Sequence, residues 1–87
     1  MHVWLQEAAQ RLARRVGLDT AELELDAGQI ETLLALAAEA AHASGARVNA
    51  PLLCYLVGRA EALGGVPLAE LAGLLADGRG REPNAGN

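Results

Sequence analysis

Apolar residues recur at helical spacing along most of the chain, and the polar and glycine-rich breaks between them mark out four helices. The first is predicted over residues 3–16. There Trp4, Leu5, Ala8, Leu12 and Val16 form one stripe, and Gln10, Arg11, Arg14 and Arg15 lie opposite. Gly17 offers the left-handed conformation that ends a helix, and Arg14 and Arg15 complement the dipole of its last turn. The acidic stretch over residues 19–25 has room for one short helical turn after Asp19. Asp26 is the expected cap of the second helix, residues 27–43, whose inner stripe reads as Ile30, Leu33, Leu34, Ala37 and Ala41. Ser44-Gly45 ends it.

The third helix is expected to run from Pro51 in its first turn to about Leu63, with Asn49 or Ala50 at the cap. It is apolar almost all round. Leu52, Leu53, Leu56, Val57, Ala60 and Leu63 cover a broad face, and Cys54, Gly58 and Ala62 recur every four residues as a groove of small side chains. Such a helix is either central or shared with a partner, and three short neighbours enclose it poorly. The Cys54-Gly58-Ala62 face is therefore the expected helix-packing or dimer face. Gly64-Gly65 breaks the chain, and Pro67 starts a fourth helix over residues 67–76, striped by Leu68, Leu71, Leu74 and Leu75. Residues 79–87 hold Gly, Arg, Pro and Asn and read as a disordered tail. The expected fold is all-α, a compact bundle of four short helices forming a single domain over residues 1–78, because short loops favour antiparallel neighbours.

Composition narrows the core. With no Phe, one Trp and one Tyr among 87 residues, it must be built from Leu, Val and Ala, and only one core fits. The net charge is −4, all seven basic residues are Arg, and they form no stripe. Nucleic acid and anionic membrane surfaces are thus poor partners. The longest wholly apolar run, Pro51 to Gly58, falls far short of the roughly 20 residues a bilayer needs. The opening Met1-His2-Val3-Trp4 lacks the basic-then-apolar order of a signal peptide, so a cytoplasmic location is expected.

Catalytic machinery is not legible. No glycine-rich phosphate loop, paired-cysteine zinc motif or nucleophile elbow occurs. His2 and His42 stand far apart without metal-ligand spacing, and Thr20, Thr32 and Ser44 have no evident base beside them. Glu22, Glu24 and Asp26 read as a solvated acidic face. Cys54 is alone, cannot form an internal disulfide, and is expected as a small buried hydrophobe. No catalytic residue, metal or cofactor is assigned, and the chain is not expected to be an enzyme.

The polar residues that need an explanation cluster around the third helix start: His42, Ser44, Arg47, Asn49 and Tyr55. Two readings stand side by side. Arg47, Asn49 and the free amides of the helix could grip a phosphate, a carboxylate or a partner protein. Alternatively, Arg47 ties the loop to the last carbonyls of the second helix and Asn49 is simply a cap.

The segment His42-Ala-Ser-Gly-Ala-Arg-Val-Asn-Ala-Pro-Leu-Leu-Cys-Tyr-Leu-Val-Gly, preceded by Leu33-Leu-Ala-Leu-Ala-Ala-Glu-Ala-Ala, resembles a small actinobacterial-type helical domain of unknown function. That domain occurs alone or fused to the C-terminus of molybdenum-cofactor guanylyltransferases. The Trp4 helix followed by Gly17-Leu-Asp also fits, so the resemblance spans residues 4–76. Thr20 and Ala21 depart from the proline-led acidic turn common in the family. The resemblance implies an accessory to molybdenum-cofactor maturation or to a molybdoenzyme, with no active site to carry over. The expected partner is accordingly a protein of that pathway, or a second copy of the chain.

Overall fold

Helix α1, Val3–Val16, ends where Gly17 takes a φ of 78°. That left-handed turn lets the amides of Gly17 and Leu18 both donate to the Ala13 carbonyl, at 2.8 and 2.9 Å. The computed structural model describes residues 1–78. In it the chain reverses after Gly17 and a 3-10 turn, Thr20–Leu23, packs on α1. The Asp19 amide donates to Glu22 Oε2 at 3.3 Å, so one of the acidic residues closes this turn. At the start of α1, His2 Nδ1 accepts the Trp4 amide at 3.1 Å and acts as its cap.

Helix α2, Ala27–Ser44, opens with a reciprocal capping box. Asp26 Oδ1 accepts the Gln29 amide at 2.7 Å, and Gln29 Oε1 accepts the Asp26 amide at 2.9 Å. Its end coincides with the expected Ser44-Gly45 stop, where Gly45 has a φ of 73°. Helix α3, Asn49–Gly64, begins two residues earlier than Pro51 suggested, and Val48 holds the cap position in place of Asn49 or Ala50. Pro51 thus sits within the first turn, where an amide would have no partner inside the helix. Gly65, at φ 72°, closes α3 by donating to the Glu61 carbonyl. Helix α4 is Leu68–Gly78.

The described residues are helical or irregular, with no strand among them, so the fold is all-α with four helices. None of the helices is long and apolar enough to cross a membrane among the described residues. The chain divides into two units, Met1–Ile30 and a second beginning at Glu31. The expected tail, residues 79–87, lies outside the described residues.

The second unit has a small core to which each helix contributes. Leu36 of α2, Val57 of α3 and Leu68 of α4 are buried together, with Leu33, Leu53 and Leu71 packed against them. The inner face of α2 therefore differs from the expected stripe: Leu36 and Ala40 are buried, whereas Leu34 is 66% exposed. Helix α2 is apolar on nearly every side, so spacing alone does not select the face. In α1 the buried positions are Ala9 and Ala13, and the expected stripe of Trp4, Leu5, Leu12 and Val16 is exposed.

One contact that joins α3 to α4 is invisible in the sequence. The Leu68 amide, in the first turn of α4, donates to Glu61 Oε2 at 3.1 Å. A carboxylate there satisfies an orphan amide and complements the positive end of the helix. Glu61→Ala is expected to destabilise the second unit by about 1 kcal/mol, in the range of a lost N-cap. Thermal melts followed by far-ultraviolet circular dichroism would read this, and an unchanged midpoint would contradict it.

Candidate functional site

The loop from α2 to α3 is built by short backbone turns. The Asn49 amide donates to the Ala46 carbonyl and the Ala50 amide to the Arg47 carbonyl, both at 3.1 Å. Ser44 serves the end of α2: its hydroxyl donates to the Ala40 carbonyl at 2.6 Å, and its oxygen accepts the Ala46 amide at 3.2 Å. Among the described residues, Arg47 makes no hydrogen bond to the last carbonyls of α2, and the Ser44 contact is a back-bond within the helix. Val48 has no side-chain oxygen to offer, so the first amides of α3 lack a capping side chain.

The four residues singled out for a binding role are spread along this corner. His42 lies in the last turn of α2 and is exposed, as is Arg47. Asn49 is half-buried at the first position of α3. Tyr55 is exposed and pairs with Arg59, whose guanidinium carbon lies 5.8 Å from the ring centroid. No hydrogen bond joins any two of His42, Arg47, Asn49 and Tyr55. Tyr55 belongs to the outer face of α3 and not to the loop.

The small-residue stripe of α3 is divided. Cys54 is half-buried and turned to α2, its Sγ 3.9 Å from the Leu33 carbonyl, a weak donor contact. Gly58 has nothing within 4 Å of where a Cβ would stand, and Ala62 is exposed. Cys54 therefore packs within the second unit, while Gly58 and Ala62 face open space.

Two grooves open in the second unit that sequence reasoning did not anticipate. The larger, about 570 Å³, runs between α2 and α4, with Ala35, Ala40 and Ala43 on one wall and Ala69, Ala72, Gly73 and Ala76 on the other. Leu36 and Leu53 lie between these walls, and Thr32 and Glu39 are its polar lining. The second, about 530 Å³, lies between the end of α2 and the start of α3, lined by Ala40, Ala43, Ser44, Asn49, Leu52, Leu53 and Leu56. The α2 wall of both is alanine, and in the larger groove α4 answers with Ala as well, leaving space that larger side chains would fill. The recurrence of Ala on both α2 and α4 was the available signal.

No group of three or more His, Cys, Asp or Glu side chains is placed to hold a metal ion among the described residues. No polar or charged side chain is buried among them either. What the surface does present is apolar. Fourteen large apolar side chains of the described residues are exposed, and on α1 and α3 they form rows along the helix.

The model of a family described as a domain of unknown function (DUF6457) matches residues 1–82. No curated protein and no solved structure matches the chain.

Proposed function

Since the chain belongs to that family, whose function is unknown, we propose from its own surface that it is a non-catalytic module that binds another protein through its helix faces. The observation that carries this reading is the exposed apolar surface. Trp4, Leu12 and Val16 on α1 are each at least 60% exposed and Leu5 43%, and α3 presents a comparable row. Single exposed apolar residues are ordinary, but contiguous rows of them mark interaction sites. Covering one such side chain is worth about 1.5–3 kcal/mol before the entropy of association is subtracted. A partner that covers a whole row therefore gains enough to bind.

The class of partner comes from the resemblance of residues 4–76 to a helical domain found alone or fused behind molybdenum-cofactor guanylyltransferases. On that basis the partner is a molybdenum-cofactor transferase or a molybdoenzyme subunit, and this chain is its accessory. The exposed Arg47 corner would contribute the polar rim of the contact. The test is affinity capture from the native host with the tagged chain as bait. Recovery of such an enzyme is expected, and Arg47→Ala should reduce its capture at least severalfold while the far-ultraviolet helical signal stays unchanged. Capture that survives Arg47→Ala would remove the loop from the contact. Recovery of no molybdenum-cofactor or molybdoenzyme component would remove the pathway.

An anion-binding role is the alternative, supported by the exposed Arg47 one residue before Val48, although backbone carbonyls already hold the Asn49 and Ala50 amides of α3. Inorganic phosphate, a pterin and a guanine nucleotide are the probes. A ligand that binds only the folded chain at about 100 times its Kd would add about 2.7 kcal/mol, read as a rise in melting temperature. No shift with any of the three would dismiss this alternative.

A further inference from the structure

We propose that the outer face of α3 is a homotypic interface, through which two copies of this chain pair antiparallel about Tyr55 and Leu56. The inference rests on the partner-binding reading above and names the partner of one of its faces. Val48, immediately before the helix, and Leu52, Tyr55, Leu56 and Leu63 along it are 57–79% exposed. Their spacing places them on one broad side of a helix about 24 Å long. The row is continuous with the groove between α2 and α3, whose wall includes Leu52 and Leu56. A side chain from a second copy thus has a place to insert.

Area and charge both select a second copy. The exposed parts of these five side chains amount to roughly 600 Å² per chain, close to the ~800 Å² per partner of a standard specific interface. Flanking residues, Ala60 and Ala62 among them, would supply the remainder. The charged residues of the helix are Arg59 and Glu61. Glu61 is engaged with the Leu68 amide, and Arg59 lies over the Tyr55 ring. Pairing the face with itself therefore brings together no cluster of like charge. Apolar residues mark both ends of the α3 row. Antiparallel pairing sets Val48 opposite Leu63 of the second copy, and Leu52 opposite the aliphatic stem of its Arg59.

The experiment is sedimentation velocity on the full chain from about 1 to 200 μM. The wild type is expected to move from the 9.0 kDa monomer towards a species of twice that mass. Leu56→Arg, at the centre of the pairing, should raise the dimer Kd at least 100-fold with the helical signal retained. Leu63→Glu, at the end of the row, provides the same reading if the central variant folds poorly. Leu74→Arg changes an equally exposed position on α4 and should leave association unchanged. A wild type that stays monomeric throughout would overturn the homotypic pairing, as would dissociation by Leu74→Arg but not by Leu56→Arg or Leu63→Glu. The broader reading fails separately: a monomer that captures a different protein through α3 keeps the partner-binding role and loses only the second copy.

Discussion

Leu36→Ala is expected to unfold the second unit at ordinary temperatures or come close to it, whereas Leu34→Ala, two residues away on the same helix, is expected to have little effect. Leu36 is 7% exposed and meets Val57 and Leu68 in a cluster of only three buried residues. Truncating a buried leucine removes its burial energy and leaves a cavity, together about 2–5 kcal/mol. Total stability of a small domain is about 5–15 kcal/mol, so one such change removes a large share of it. For a chain of this length that corresponds to a fall on the order of 10–25 °C in melting temperature. Leu34 is 66% exposed, and its truncation should move stability by about 0.5 kcal/mol or less. Both variants would be melted at one fixed protein concentration, because self-association would otherwise shift the midpoint. Equal losses from the two would mean that the inner face of α2 is drawn wrongly.

That pair of residues also shows what was legible in the sequence. Helix boundaries were read almost to the residue wherever a specific local chemistry marks them. Gly17 and Ser44-Gly45 stop helices because a left-handed residue is needed there, and Asp26 starts one because its carboxylate meets an amide three residues on. Such signals act over a few residues and survive in any tertiary context. Which side of a helix is buried is different information. In α2 and α3 apolar residues occur all round, so the periodicity that normally separates inside from outside is nearly absent. Leu33 and Leu36 then fall inside and Leu34 outside for reasons set by Val57 and Leu68, far along the chain.

The candidate site was legible to a similar degree. Arg47 is exposed in the loop before α3, but the cap expected of Asn49 or Ala50 falls on Val48, which offers no side-chain oxygen. Tyr55 and Arg59, four apart on the predicted helix, could be paired from the sequence, but it could not tell whether the ring also reached Arg47. Nor could it reveal the Glu61 bond to α4, since that bond depends on how the chain folds back after Gly65. The alanine-lined grooves lie further from reach. An Ala on a helix reads equally well as a close-packing contact or as missing volume, and only the neighbouring helix decides.

Ala13→Leu is expected to be among the most damaging single changes in the first unit, although it adds apolar surface and keeps an excellent helix former. At 1% exposure Ala13 is the most enclosed apolar side chain of the core among the described residues. Its carbonyl also receives both amides of the Gly17-Leu18 reversal, so the surrounding backbone is fixed closely. Leucine and alanine have similar helix propensities, and any loss must therefore come from packing. Three extra carbons have no room, and overpacking of this kind costs about 1–3 kcal/mol. The reciprocal change is Leu12→Ala, which removes a side chain that is 60% exposed and should shift stability by about 0.5 kcal/mol or less. The order of the two effects inverts what an apolar stripe of large residues implies, since enlarging an alanine would hurt more than truncating a leucine. Native-state hydrogen exchange of the α1 amides at a fixed concentration would decide it. Faster exchange in Ala13→Leu with near-wild-type exchange in Leu12→Ala is the expected result. The opposite order would place Trp4, Leu5, Leu12 and Val16 on the buried side of α1 and remove that row from the binding surface.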